Sequence, residues 1–541
     1  MLKRFGYLNG VLVVVASAAV VLSTMIPYHM IDERRPDGTV FYGISTNLPD
    51  AASYMMWFNQ HAQGHILVEN RMTVEPHPRL LPNPAWMLIG LYKAVFGSNT
   101  LFSYNFMRMM LSLAYLPLLF LVLSKMLPGR RWTWMAWWII AIGGGLGWLE
   151  TVGLRLPSAD WMTELWSWPS MLHYPHFVLS LILVLLFFLV SMKANRFFIK
   201  SLYVLSGVLM ALLFMVHPYT AGTILAAIVI MRVVIVWLKK RNTIGTVQLD
   251  PAFWWVIGIS APAVIALLLQ NHFNPVAAAW ASQNHMPSPP IWEYVFGFGL
   301  PGVAAGLLVA RMVRTRVPES PEIMFGMVWL GTALVLAYAD PLVPFARRCM
   351  EGVHLIVVVM GVKYVAGIAS KRIRIAAVVL MLATTLPAPL YHINREVVPD
   401  NPGYVPEDMY EMLDAVRYWV KDGNVISDPR TSLFIAAETD AHVFIAHHEV
   451  TPGFLDKIRT HYKYLTEPTT LKERLQLMGD VNCPWVVSTP ELAYGMLKTE
   501  NIDPEDLKKV REFARGKSWV LLGLVDHQTS EGDGSEQQGS Q

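Results

Sequence analysis

The chain has 541 residues, 54% of them hydrophobic and only 15% charged, a balance that excludes an ordinary soluble globular protein and points to a polytopic membrane protein. A formal net charge of +3, with no Lys/Arg-rich run interleaved with aromatics, leaves no nucleic-acid partner expected. The 19 Trp and 20 Tyr suit interfacial belts, and the two cysteines, Cys349 in an apolar span and Cys483 in a polar region, are not expected to pair.

Lys3 and Arg4 precede an apolar run over 5–26, long enough for a bilayer crossing of about 20 residues. Ala16-Ser17-Ala18 offers small residues for signal cleavage, but the run exceeds the roughly 7–15 residues of a signal h-region. An uncleaved anchor with a cytoplasmic N-terminus is expected. Further spans are expected at 102–127, 132–150, 171–192, 198–216, 219–238, 252–271, 293–313, 322–339, 349–369 and 373–391. The stretch 80–96 decides the sidedness. If it crossed, the basic clusters at 129–131, 193–200, 239–241, 311–316 and 371–374 would lie outside; if it is interfacial, all of them lie inside, as the positive-inside rule asks. Pro82 and Pro84 also suit a bent, interfacial start. The sequence therefore predicts about eleven crossings, with the polar C-terminal part on the outer, periplasmic-type side of the cell membrane.

This topology sorts the polar residues. Asp50, Glu75, His77, Glu150, Asp160, Glu164, His173, His176, His217, Arg347, Arg348 and Glu351 all fall at or beyond the outer interface, which implies one outward-facing cavity. Arg347 and Arg348 break the sidedness that the other basic clusters obey, so an anionic partner is expected for them. Past residue 399, helical runs alternate with short β-branched runs at 424–427, 442–446 and 485–488, the pattern of a small α/β domain. The predicted division is a membrane domain over 1–398, with 27–100 as its outer active-site loop, an outer soluble α/β domain over 399–528, and a disordered Ser/Gly/Gln/Glu-rich tail over 529–541.

The loop after the first span carries the chemistry. Residues 50–64 predict an amphipathic helix ended by Gly64, with Asp50 at its N-cap. Asp50 then has two compatible roles, a cap and a general base at the bilayer surface. Asp50 and Tyr54, then Glu75, His77-Pro78 and a Pro-containing apolar segment over 82–96 closed by Gly97, resemble the GT-C superfamily of membrane glycosyltransferases. Bacterial relatives of protein mannosyltransferases and lipid A aminoarabinose transferases are the nearest likeness. It implies transfer of a sugar from a polyprenyl-phosphate donor to a lipid, glycan or protein acceptor, with Asp50 and Glu75 catalytic and Tyr54 and His77 binding substrate. Where the mannosyltransferase branch has a second acidic residue directly after the first, this chain has Ala51, and Asp160 and Glu164 are the candidates for the later-loop carboxylate.

A donor phosphate asks for arginine at the interface, because the guanidinium fork matches phosphate oxygens. Arg347 can pair with Glu351 at i+4, which leaves Arg348 for the phosphate. His173 and His176, at i,i+3, either bind substrate at the interface or hold a divalent metal with Glu150 or Asp160; no cofactor motif is present, and Pro175 disturbs the helix between them. His217-Pro218-Tyr219 offers a further contact to sugar or phosphate, or simply a tight turn. Gly143-Gly144-Gly145 suggests close helix packing. The competing function is a transporter or flippase of a lipid-linked or anionic substrate, which would use the same cavity for alternating access.

Overall fold

The computed structural model describes residues 7–197, 199–240, 252–340, 342–466, 470–497 and 503–525; the stretch 529–541, expected to be disordered, lies outside these. Two compact units are built from interleaved segments. One comprises Met1–Arg34, Pro82–His272 and Asn284–Asn401, the other Arg35–Leu81, Phe273–Gln283 and Pro402–Gln541. Residues 35–81 of the expected loop thus fold with the C-terminal part of the chain.

The first unit is helical. Among the described residues eight helices are long and apolar enough to cross a membrane: Asn9–Glu33, Thr100–Met126, Pro175–Lys193, Pro218–Val236, Phe253–Phe273, Ile291–Thr315, Ala346–Ala366 and Lys371–Glu396. With the shorter apolar helices Lys200–Val216 and Pro321–Ala337 they answer every expected span but one. The exception is 132–150, where helix Arg130–Ile142 has only 13 residues. At 1.5 Å per residue it is about 20 Å long, against a hydrocarbon core of about 30 Å. It stops because the glycines behind it find better backbone partners outside a helix: Gly144 N–H donates to the Thr385 carbonyl at 3.1 Å and Leu146 N–H to the Phe296 carbonyl at 3.0 Å. A Cβ at Gly145 would collide with the Phe296 carbonyl, so the glycines do serve close packing, but beyond the helix end.

The segment expected to be interfacial is the 13-residue helix Pro84–Phe96. Asn83 caps it by accepting the Ala85 N–H, Pro84 occupies its first position, and Gly97 ends it at φ 61°. The connection through residues 163–174 is tied to the surrounding helices by buried side-chain bonds. Arg108 donates to the Met171 carbonyl at 2.7 Å and to Thr24 Oγ1 at 3.1 Å, Tyr104 to the His173 carbonyl at 2.7 Å, and Trp166 Nε1 to the Gly297 carbonyl at 2.9 Å. These groups satisfy irregular backbone where no water reaches it.

The second unit is α/β. Strands β1 (Thr39–Phe41) and β2 (Tyr404–Pro406) pair antiparallel. A five-stranded sheet is formed by β3 (Asn424–Ile426), β4 (His442–Val443), β5 (Trp485–Ser488), β6 (Val510–Arg515) and β7 (Val520–Leu524), in the order β4-β3-β5-β7-β6. β3 runs parallel to β4 and β5, whereas β7 is antiparallel to β5 and β6. Ile426, Phe444, Ile445, Val486, Val520 and Leu522 form its core. Each such side chain contributes roughly 1.5–3 kcal/mol on full burial, which is why β-branched residues recur there. Cys483 sits in this core and Cys349 in the helical unit, both buried and free, and burial pushes the Cys483 thiol up to about 12.

Candidate active site

Asp50 lies in the first turn of helix Leu48–Ala62 and not at its N-cap. The cap is Asn47, in the left-handed region at φ 45°, a conformation asparagine tolerates better than other branched residues. Gly64, at φ 93°, follows the helix end as expected. The helix is not amphipathic: residues 51–60 are all buried, and Asn59 Nδ2 donates to the Ala437 carbonyl at 2.7 Å.

Both oxygens of Asp50 are engaged. Oδ2 accepts from Asn47 Nδ2 at 2.7 Å and Oδ1 lies 3.0 Å from His447 Nε2. The other ring nitrogen, Nδ1, accepts the Glu449 N–H at 2.9 Å. That bond fixes the tautomer: Nδ1 carries the lone pair, so Nε2–H donates to the carboxylate. The imidazole is buried, with 1% of its surface exposed, while Asp50 keeps 15%. The turn bearing His447 is braced by Thr451, whose N–H donates to the His447 carbonyl at 2.8 Å and whose Oγ1 donates to the Met72 carbonyl at 2.8 Å. One ligand atom each from Asp50, His447 and Glu449 lie within 4.8 Å of one another, a donor set of one imidazole and two carboxylates that suits a divalent cation. His448 stacks on His447 with ring centroids 4.9 Å apart, and its ion pair with Glu449 raises its basicity despite partial burial.

The remaining loop residues of this unit have other partners. Glu75 receives Lys457 Nζ at 2.6 Å and also bonds Thr73, and burial depresses the Lys457 ammonium although Glu75 opposes it. His77 places Nδ1 2.9 Å from the Pro78 carbonyl and Nε2 3.2 Å from the Asn70 carbonyl. Tyr54 is buried, its ring 6.1 Å from that of Trp57.

A second polar cluster lies within the helical unit. Phe345, at φ 54°, sits in the left-handed region, a strained backbone for an aromatic residue, and starts the 3-10 turn Ala346–Met350. Arg347 donates through Nε to Glu164 at 2.7 Å, and its guanidinium lies 4.7 Å from the Trp161 ring centroid. The expected i+4 pair with Glu351 is absent, because the 3-10 turn ends in extended backbone at Glu351. Glu351 instead meets His217 Nδ1 at 2.5 Å and Thr220 Oγ1 at 2.7 Å. Burial pushes the Glu164 carboxyl up, but Arg347, aided by Arg348, more than reverses this and holds it below the ordinary range. The Arg348 guanidinium lies 4.9 Å from the Phe345 ring centroid.

His173 and His176 do not share a face. Helix Ser167–His173 ends and a new one starts at Pro175; His173 Nε2 approaches Glu396 at 3.4 Å, while the His176 ring lies 5.1 Å from Trp86 and 6.4 Å from His217. Asp160 accepts the N–H groups of Gly145 at 2.7 Å and Gly147 at 2.6 Å, and the Ser158 hydroxyl at 3.1 Å. Burial nevertheless raises its carboxyl to about 6. Sequence pattern alone does not single out His447, Glu449, Lys457 or Arg108; the signal for the first two is the polar run His447-His448-Glu449.

No family model matches the chain, and no curated protein is significantly similar to it. Solved structures do share its fold. The Archaeoglobus fulgidus oligosaccharyltransferase AglB, solved with an inhibitory peptide and a dolichol-phosphate, aligns over 98% of this chain and 75% of its own at 12% identity and a TM-score of 0.53. The same enzyme in complex with Zn and sulfate aligns over 95% and 73% at 13% identity, TM-score 0.53. ArnT from Cupriavidus metallidurans, bound to undecaprenyl phosphate, aligns over 96% and 98% at 11% identity, TM-score 0.51. At such identities the likeness is one of architecture, and the chain has the fold of these GT-C membrane glycosyltransferases.

Proposed function

We propose that the chain is an integral-membrane glycosyltransferase that moves a sugar from a polyprenyl-phosphate-linked donor to a hydroxyl or amine of a lipid, glycan or protein acceptor. The observation that carries this is Asp50, a partly exposed carboxylate held in place by His447 and Asn47. As general base it takes the acceptor proton; the acceptor's freed lone pair closes on the anomeric carbon, and the bond from that carbon to the phosphate oxygen breaks with its electron pair on the departing polyprenyl phosphate. Arg348 is assigned to the phosphate, whose oxygens its guanidinium fork matches, while Arg347 serves Glu164. Tyr54, His77, His173, His176, His217, Asp160 and Glu164 are assigned to substrate binding or its support, and Glu75 is the alternative base. Dolichol-phosphate and undecaprenyl phosphate in two of the similar structures support a lipid-phosphate donor. Their fold favours transfer over the transporter alternative.

Asp50, His447 and Glu449 would hold a divalent cation, which the Zn in one oligosaccharyltransferase structure supports. Bound there, such an ion would supply Lewis-acid stabilisation of phosphate charge. His447 could ligate through Nε2 only in the tautomer that carries its proton on Nδ1, at the expense of its bonds to Asp50 and to the Glu449 N–H.

The test is Asp50→Asn, which keeps shape but removes the base. Turnover should fall by about 10²–10⁴-fold with donor binding retained; near-native turnover would reduce Asp50 to a structural residue and shift the role to Glu75. The basic clusters, including Arg311 and Arg314, support an orientation with Asp50 and the C-terminal part of the chain on the outer side. A cysteine at position 440 should then label from outside intact cells and one at position 314 should not; the reverse pattern would overturn the orientation.

A further inference from the structure

A cavity of ≈ 1040 Å³ lies within the helical unit. Its walls are apolar, with Leu123, Ile228, Phe325 and Val359 contributed by four different helices. The charged groups that line it are Lys125, Lys193, Arg232 and Glu322.

Their places along the helices gather them at one mouth. Lys125 is in the last turn of Thr100–Met126, Lys193 is four residues short of the end of Pro175–Phe197, and Glu322 is the second residue of Pro321–Ala337. Arg232 lies two turns before the end of Pro218–Lys240, its guanidinium 5.0 Å from the Phe253 ring centroid. The opposite ends of the same helices hold His176 and Tyr219, next to His217 and Phe345. Lys193 and His176 are 17 residues apart on one helix, or about 26 Å at 1.5 Å per residue. The cationic mouth is therefore at the far end of the bundle from Arg348.

Basic residues at the cytoplasmic ends of spans are expected from topology alone. What topology does not require is that cations from three helices line one apolar cavity, with a single carboxylate among them. A ligand complementary to that lining has an anionic phosphate head and long apolar chains, since apolar walls between membrane helices favour acyl chains over water. We infer that the cavity binds an anionic phospholipid, its headgroup phosphate among Lys125, Lys193 and Arg232 and its acyl chains along Leu123, Ile228 and Val359. The site rests on the membrane embedding of the unit and is independent of the glycosyltransferase assignment.

The experiment uses the full chain in nanodiscs of phosphatidylcholine with a minor fraction of phosphatidylglycerol, and native mass spectrometry of the lipids retained. Wild type should retain phosphatidylglycerol in preference to phosphatidylcholine. In the double variant Lys125→Gln/Lys193→Gln that preference should fall about 30-fold, the effect of removing two cations near an anionic headgroup. Both lysine side chains are exposed, so the variant leaves the packed interior intact. Val122→Trp, on the cavity wall, should displace the retained lipid of either kind. No preference in wild type would mean annular lipid only, and a preference surviving in the double variant would mean that the mouth does not hold the headgroup; either result overturns the site.

Discussion

His447→Ala tests most directly how Asp50 is prepared for catalysis. The substitution removes one hydrogen bond to a carboxylate and strands the Glu449 N–H that Nδ1 accepted. A hydrogen bond to a charged group contributes roughly 1.5–3 kcal/mol, and at 1.36 kcal/mol per pK unit the acid limb of the turnover–pH profile should move up by about one to two pH units. A carboxylate raised by that much is still ionised at neutral pH, so the loss of turnover there comes from lost positioning; it should be about 10–100-fold, less than the full general-base contribution, because Asp50 keeps its bond to Asn47. His447→Gln, whose side-chain amide can still donate, should recover part of both effects. The assay is single-turnover transfer of labelled sugar across pH, on protein matched for monodisperse elution and thermal unfolding. Added Mn²⁺ or Zn²⁺ separates the two roles of the imidazole: rescue of His447→Ala by excess metal identifies a ligand, and no rescue identifies a positioning residue. An unchanged pH profile with near-native turnover would refute both.

Removing Arg347 leaves the buried Glu164 without its ion-pair partner, so Arg347→Ala should destabilise the fold by up to about 3–5 kcal/mol, read as a lowered unfolding midpoint in detergent. Arg348→Lys should spare stability but weaken donor-lipid binding, because bidentate geometry is lost while the charge remains; equal donor binding in wild type and variant would remove Arg348 from the phosphate. Asp160 makes a pH prediction of definite sign. Its folded carboxyl titrates near 6 against an ordinary 3.8, so between these values the native state binds the extra proton and stability declines as pH rises, by on the order of 3 kcal/mol in all. Asp160→Asn should abolish that component of the pH dependence, and a stability profile identical to wild type between pH 4 and 6 would contradict it.

Local chemistry was readable in the sequence and distant pairing was not. Apolar runs marked nearly every long helix, Gly64 and Gly97 marked two helix ends, and β-branched runs marked β3 and β5. Periodicity misleads where the backbone changes conformation. The run 132–150 does not form one span, because three consecutive glycines lower the cost of leaving a helix and because Asp160 and Phe296 offer the N–H groups of 145–147 new acceptors. Pairing Arg347 with Glu351 assumed 3.6 residues per turn through a 3-10 segment. The cap falls at Asn47 and not at Asp50, because in Asn47-Leu48-Pro49 the Asn can enter the left-handed region and the Pro fits an early helical position.

The partner of Asp50 lies 397 residues away, and no spacing rule reaches that far. Its chemistry is nonetheless constrained by the loop itself. Residues 35–81 and 402–525 belong to one unit, joined by the β1–β2 pair, by Tyr42 donating to Glu438 at 2.7 Å, and by Asn70 donating to the Val450 carbonyl at 2.9 Å. Helix Leu48–Ala62 is buried almost throughout, so its one acidic residue had to emerge next to something that could bear a charge. A neutral imidazole with its tautomer fixed by a backbone N–H meets that need at lower cost than a buried cation, because it donates to the carboxylate without adding a second charge to desolvate. The same neutrality leaves Asp50 with its full negative charge and therefore able to accept a proton, which a lysine or arginine in place of His447 would suppress by stabilising the carboxylate further.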